Sequence, residues 1–183
     1  MVTTISRSRP VARRVSPSLY KLLLTAHIIV SVGWLGAVFA KLVLGLAALA
    51  SSAPAVAAAL YLSMGVVNVA YPPLAIGTIV SGVLLSLGTK WGLLDHYWVV
   101  SKLFLTVGVI ATAVQLTDRL ARQATVAPSG PAADAGLVLG LASAQGLLAL
   151  AAAHLLMLGL ATVISVYKPW GRTSFARREA AQQ

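Results

Sequence analysis

The chain contains no cysteine, and only four of its 183 residues are acidic. The first absence excludes disulfides, thiolate metal sites and thiol catalysis together, and leaves the compartment unreadable from redox chemistry. The second bears on transport. Asp95 and Asp118 fall at the ends of apolar runs and no carboxylate lies within one, so a proton-coupled exchanger would lack its usual relay. Charge of either sign is missing over long intervals: none occurs between Lys41 and Lys90, or between Asp134 and Lys168, stretches longer than a bilayer crossing. A phosphate-binding glycine loop, a two-histidine zinc motif and a serine nucleophile elbow are also missing, so hydrolysis has no visible machinery.

What is present is apolar. Hydrophobic residues make up 58% of the chain and charged residues 10%, far from the usual soluble domain, so lipid is the expected solvent and first partner. A net charge of +10 would suit nucleic acid, yet nine of the fourteen basic residues lie in two tails, Arg7 to Lys21 and Lys168 to Arg178, flanking apolar runs. Retention on the cytoplasmic side and attraction to anionic lipid explain that distribution, and nucleic acid is not expected as a partner.

The charge-free run Leu22 to Ala40 is nineteen residues, about 28 Å of helix, and forms the first span. It exceeds a signal-peptide core, so the small-residue run Ala48-Leu49-Ala50 reads as part of an uncleaved anchor. A turn at Ser51-Ser52-Ala53-Pro54 follows, then an outer or re-entrant helix over 55–69. Pro72-Pro73 suits the first turn of a second span from Tyr71 to Gly88. Gly77, Ser81 and Gly82 on it allow close helix approach. The loop Thr89 to Asp95 leads to a third span from about His96 to Thr117, with Trp91, Tyr97 and Trp98 at its mouth in the headgroup region. Asp118, Arg119 and Arg122 close it, and Gln123 to Asp134 is an exposed loop. The fourth span runs from about Gln145 to Tyr167 after a helical lead-in, and Lys168-Pro169-Trp170-Gly171 stops it.

The fold class is therefore all-α: a four-span antiparallel membrane bundle with outer helical extensions before spans 2 and 4. A basic cytoplasmic tail over 1–19 precedes the transmembrane domain over 20–168, and a second tail covers 169–183. Both termini are expected in the cytoplasm.

Polar residues within the spans are the site candidates, because each needs a partner or a cavity there. His27, Ser31, Trp34 and Lys41 share one stripe of the first helix. Asp95, Trp98, Lys102 and Thr106 share one stripe of the third. His27 and Lys102 lie at similar depth, and a nearby ammonium favours the neutral imidazole that ligates metal. His154, on a fourth-helix line with Ser165 and Lys168, lies about 10 Å deeper than His27, so the two make a poor axial pair on one iron. Met157 beside His154 suits a soft metal, although core packing is its commoner role. Other roles stay open: His27 bonding a serine across the interface, Lys102 snorkelling to the surface, Trp34 packing, His96 lying at the interface, Asn68 in a turn.

The run Tyr20-Lys21-Leu22-Leu23-Leu24-Thr25-Ala26-His27 with Trp34-Leu35-Gly36 resembles the opening helix of a group of small bacterial membrane proteins. Trp91-Gly92-Leu93 and His96-Tyr97-Trp98-Val99-Val100-Ser101-Lys102-Leu103 resemble its second signature. The likeness is to an uncharacterised actinobacterial family of integral membrane proteins, and more distantly to copper-resistance D proteins and HemJ-type protoporphyrinogen oxidases. It spans residues 20 to 170. The HemJ likeness implies haem binding at the positions of His27 and Lys102, although this chain differs in the surrounding arginines and in lacking buried acids. The expectation is a multi-pass protein of the bacterial cell membrane that binds haem or assists redox chemistry. In it His27, Lys102, Trp34 and Ser31 form the cofactor site, and His27 and His154 are the candidate metal ligands. A non-catalytic subunit, assembled with other membrane subunits or with copies of itself, and a copper-handling permease component are the alternatives.

Overall fold

The computed structural model describes residues 15–89, 91–113 and 133–181, without the side chains of 133–143 and 178–181. The expected tail up to residue 14, the Asp118, Arg119 and Arg122 closure, and the loop from Gln123 to residue 132 lie outside them. Among the described residues six helices follow in order: α1 (Pro17–Ala50), α2 (Pro54–Asn68), α3 (Tyr71–Gly88), α4 (Tyr97–Thr112), α5 (Ala133–Tyr167) and α6 (Ser174–Ala181). There is no sheet among the described residues, only an isolated bridge between His96 and Arg172.

Helix α1 starts earlier and ends later than the charge-free run alone marks. Ser16 caps it, its side chain accepting from Leu19 N at 3.3 Å, and Pro17 occupies the first turn. No proline interrupts the helix until the Ser51–Pro54 turn, so its 34 residues span about 51 Å. The turn at Val69-Ala70 separates α2 from α3, and Pro72-Pro73 fall in the first turn of α3 as expected. Three stretches are long and apolar enough to cross a membrane: Pro17–Ala50, Pro54–Gly88 taken across that turn, and Ala144–Tyr167. Helix α4 is apolar but shorter, at 16 residues or about 24 Å. The lead-in expected before the fourth span is continuous with it, because α5 runs unbroken for 35 residues.

Contacts fix the helix directions. Along α1 and the α2–α3 pair, Gly88 meets Val15, Gly82 meets His27, Gly77 meets Val30, Leu74 meets Gly33, and Met64 meets Gly45, an antiparallel register from end to end. The buried residues of α1, Trp34, Val38, Lys41, Gly45 and Ala48, recur every three or four positions and form the seam of this packing. Helix α5 is antiparallel to both α1 and α4: Leu148 lies against Gly45, while Met157 approaches Gly108 and Ser165 bonds Lys102. The core joins Trp34, Val38, Tyr71, Ala75, Val109 and Leu158. Large apolar side chains also face outward on α1, α4 and α5, as at Leu22 (65% exposed), Phe104 (77%) and Leu156 (74%). Water would penalise such a surface and hydrocarbon would not, which agrees with an integral membrane protein.

The C-terminal segment folds back instead of trailing as a tail. Lys168 takes a left-handed turn with φ 47, after which Thr173 donates through N to Asp95 O and through Oγ1 to Leu94 O, both at 2.9 Å. Thr173 Oγ1 also accepts from Ala176 N and so begins α6.

Candidate functional site

At the end of the bundle that holds residue 17 and α6, helices α1, α3, α4 and α5 enclose a cavity of about 480 Å³. Its polar wall comprises His27, Ser31, Thr78, Lys102, Thr106 and Ser165, with Lys168 at the C-terminal turn. His27 and Lys102, from different helices, lie within electrostatic reach of each other. His27, Ser31 and Trp34 of the α1 stripe and Trp98, Lys102 and Thr106 of the other therefore face a common space, while Lys41 and Asp95, expected on the same stripes, do not line it. Apolar and aromatic surfaces complete the wall, including Leu35, Trp34, Trp98 and Leu158.

Small residues on α3 let the imidazole sit between the helices. His27 Nδ1 lies 2.9 Å from Ser81 Oγ, and Cε1 would be 3.2 Å from a Cβ added at Gly82. Ser81 Oγ also bonds back to Gly77 O, one turn earlier. A hydroxyl has one proton, so Ser81 accepts from His27 Nδ1–H when it donates to Gly77. That tautomer leaves Nε2 as the unprotonated nitrogen of a ring lining the cavity. The expected serine contact and the expected cavity position are thus compatible, because they use opposite sides of one ring.

Lys102 Nζ donates to Ser165 Oγ at 3.0 Å. Three polar atoms around the cavity, Ser31 Oγ, Trp34 Nε1 and Thr78 Oγ1, are buried without a hydrogen-bond partner. The indole N–H is a donor only, so whatever satisfies it must offer an acceptor. Trp34 also packs its ring edge-on to Tyr71, at 6.4 Å between centroids, and thus belongs to the core as well as to the wall.

His154 belongs to a different cluster. Its Nε2 is 2.7 Å from Thr112 Oγ1, and Lys41 is within its electrostatic reach. Lys41, 5% exposed, donates to Asn68 Oδ1 at 3.2 Å and lies 4.8 Å from the Tyr71 ring centroid. Lys41 is about 21 Å from His27 along α1, and His154, one turn from the Leu158 that packs with Trp34, lies deeper in the bundle and outside the cavity lining. The fourth-helix line divides accordingly: Ser165 and Lys168 face the cavity, His154 does not. Met157 packs against the core beside Gly108. No group of three potential metal-ligating His, Cys, Asp or Glu residues occurs among the described residues.

Several wall residues carry no signal of their own in the sequence. Thr78 is one hydroxyl in an apolar helix, found only once the helices meet, and Ser165, placed on a helix line by the sequence, gains its Lys102 partner only there. Trp91 and Trp98, at the mouth of the third span, pack edge to face at 5.5 Å, with the Lys168 ammonium 4.9 Å and 5.8 Å from their centroids. Tyr97 alone of the three is exposed. His96 is half-buried and bonded through Nδ1 to Trp91 O. Comparison with protein-family models, curated proteins and solved structures finds no match to this chain.

Proposed function

We propose that this is a four-span membrane protein, with both ends in the cytoplasm of a bacterial cell, whose cavity binds haem in support of membrane redox chemistry. The single observation that carries the reading is the shared wall of His27 and Lys102, with Ser81 orienting the imidazole. Three features support haem. The volume of about 480 Å³ lies within the usual range for small-molecule sites. With Nδ1–H bonded to Ser81, His27 would hold haem through its unprotonated Nε2. Lys102 and Lys168 supply positive charge to a wall on which no described residue is acidic, which suits the propionates. Haem supplies one-electron chemistry; the chain's part is to ligate through His27, to hold a carboxylate at Lys102, and to exclude water with Trp34, Trp98 and Leu158.

Copper handling has less support. Met157 is packed in the core, and His154 is engaged with Thr112 outside the cavity lining. Titrating the purified protein with haem tests the proposal: a Soret shift that His27→Ala abolishes and His154→Ala retains is expected. Absence of haem uptake, or uptake indifferent to His27→Ala, would overturn it.

A further inference from the structure

The cavity is open on its lipid side. Ile28 (52% exposed) and Val32 (62% exposed) line it from α1, one turn apart, and the exposed Thr162 lines it from α5. The exposed part of the lining is thus shared by α1 and α5. Farther along α1 the two helices pack together, with Gly45 against Leu148 and Trp34 in one core cluster with Leu158. Thr162 donates its hydroxyl to Leu158 O at 2.9 Å, so no unsatisfied polar group stands at the opening. The rest of the wall is hydrogen-bonding and cationic: Lys102 with Ser165, the unpaired Thr78 and Trp34 polar atoms, and the exposed Lys168 at the C-terminal turn.

An apolar doorway in front of an ammonium suits a ligand with an apolar body and an acidic head. We infer that the cavity loads sideways from the bilayer, between α1 and α5, and accepts acidic amphiphiles. The acid group meets Lys102 and Ser165, and the apolar body lies against Ile28, Val32 and Leu35. A carboxylate there gains a charge-assisted hydrogen bond in a site with little competing water. This deepens the haem reading by naming the route and the broader ligand class, and it rests on the same cavity being a binding site.

The tryptophans supply a direct test. Trp34, Trp91 and Trp98 line the cavity and Trp170 does not, so a Trp170→Phe variant reports from the site. In phosphatidylcholine vesicles, dibrominated stearic acid should quench this fluorescence more than brominated phosphatidylcholine at equal bromine content. Lys102→Gln should weaken the fatty-acid effect about ten-fold, the equivalent of one charged hydrogen bond. Lys102→Arg should keep most of it, which separates loss of charge from loss of fold, and Val32→Phe should narrow the doorway and slow the quenching. Equal quenching by the two lipids, or an excess that Lys102→Gln leaves unchanged, would overturn the inference. Failure to take up haem would overturn the haem reading and leave the fluorescence result standing.

Discussion

Gly82→Ala separates the stability of the bundle from the integrity of its cavity. A Cβ at this position meets His27 Cε1 at 3.2 Å and Nδ1 at 3.6 Å, so the ring must give by a few tenths of an ångström. The ring is also held by its 2.9 Å bond to Ser81, one residue earlier on the same helix, and the two demands conflict. Replacing glycine by alanine in a helix interior gains about 0.8–1.0 kcal/mol. Weakening a neutral hydrogen bond costs about 0.5–1.5 kcal/mol, so the net change in stability is close to zero. Gly36→Ala and Gly159→Ala supply the reference, because nothing lies within 4 Å of a Cβ at either position. The helix-propensity gain is common to all three variants and cancels in the comparison. Gly82→Ala should therefore melt about 1–6 °C below Gly36→Ala in the same detergent. It should also bind haem more weakly, while the two reference variants bind normally. If Gly82→Ala matches them in both melting and haem uptake, His27 is not held as described and the orientation argument fails.

Two further outcomes follow from the same structure. The absence of native cysteine makes single-cysteine labelling clean: in intact cells a membrane-impermeant maleimide should reach Ser52→Cys and not Ser174→Cys. Labelling of both from outside would mean that α4 does not cross, because an odd number of crossings must separate the two sites. Gly92 has φ +63 and its missing Cβ would collide with the Asp95 carboxylate, so Gly92→Ala should lower the melting temperature by about 2–8 °C, with Gly92→Asn milder. Wild-type melting of the alanine variant would refute that account of the α3–α4 loop.

The sequence by itself determined the solvent and the helix limits that turn chemistry marks. Long charge-free intervals specify lipid, and Ser51–Pro54 and Pro72-Pro73 punctuate α1, α2 and α3, because proline and capping groups act on their own few residues; the start of α1 at Pro17, inside the expected tail, was not read. The stripes on α1 and α4 were legible for the same reason: helical period alone puts His27 in line with Ser31, and Lys102 in line with Thr106. Depth along a helix was legible only in part. Lys102, in reach of His27, and Thr112, bonded to His154, are about 15 Å apart along α4, against the roughly 10 Å counted from the expected membrane faces, because the antiparallel register and not the ends of the apolar runs sets these levels. Which hydroxyl meets which stripe was decided by the tertiary structure. Ser81 reaches His27 and Ser165 reaches Lys102 through the antiparallel register, set by glycines fitting against Val30, His27 and Leu148 on facing helices. The doorway at Ile28 and Val32 is likewise tertiary: an outward apolar residue on a membrane helix looks the same in sequence whether lipid or a cavity lies beside it, and only the meeting of α1, α3, α4 and α5 around a common space distinguishes the two.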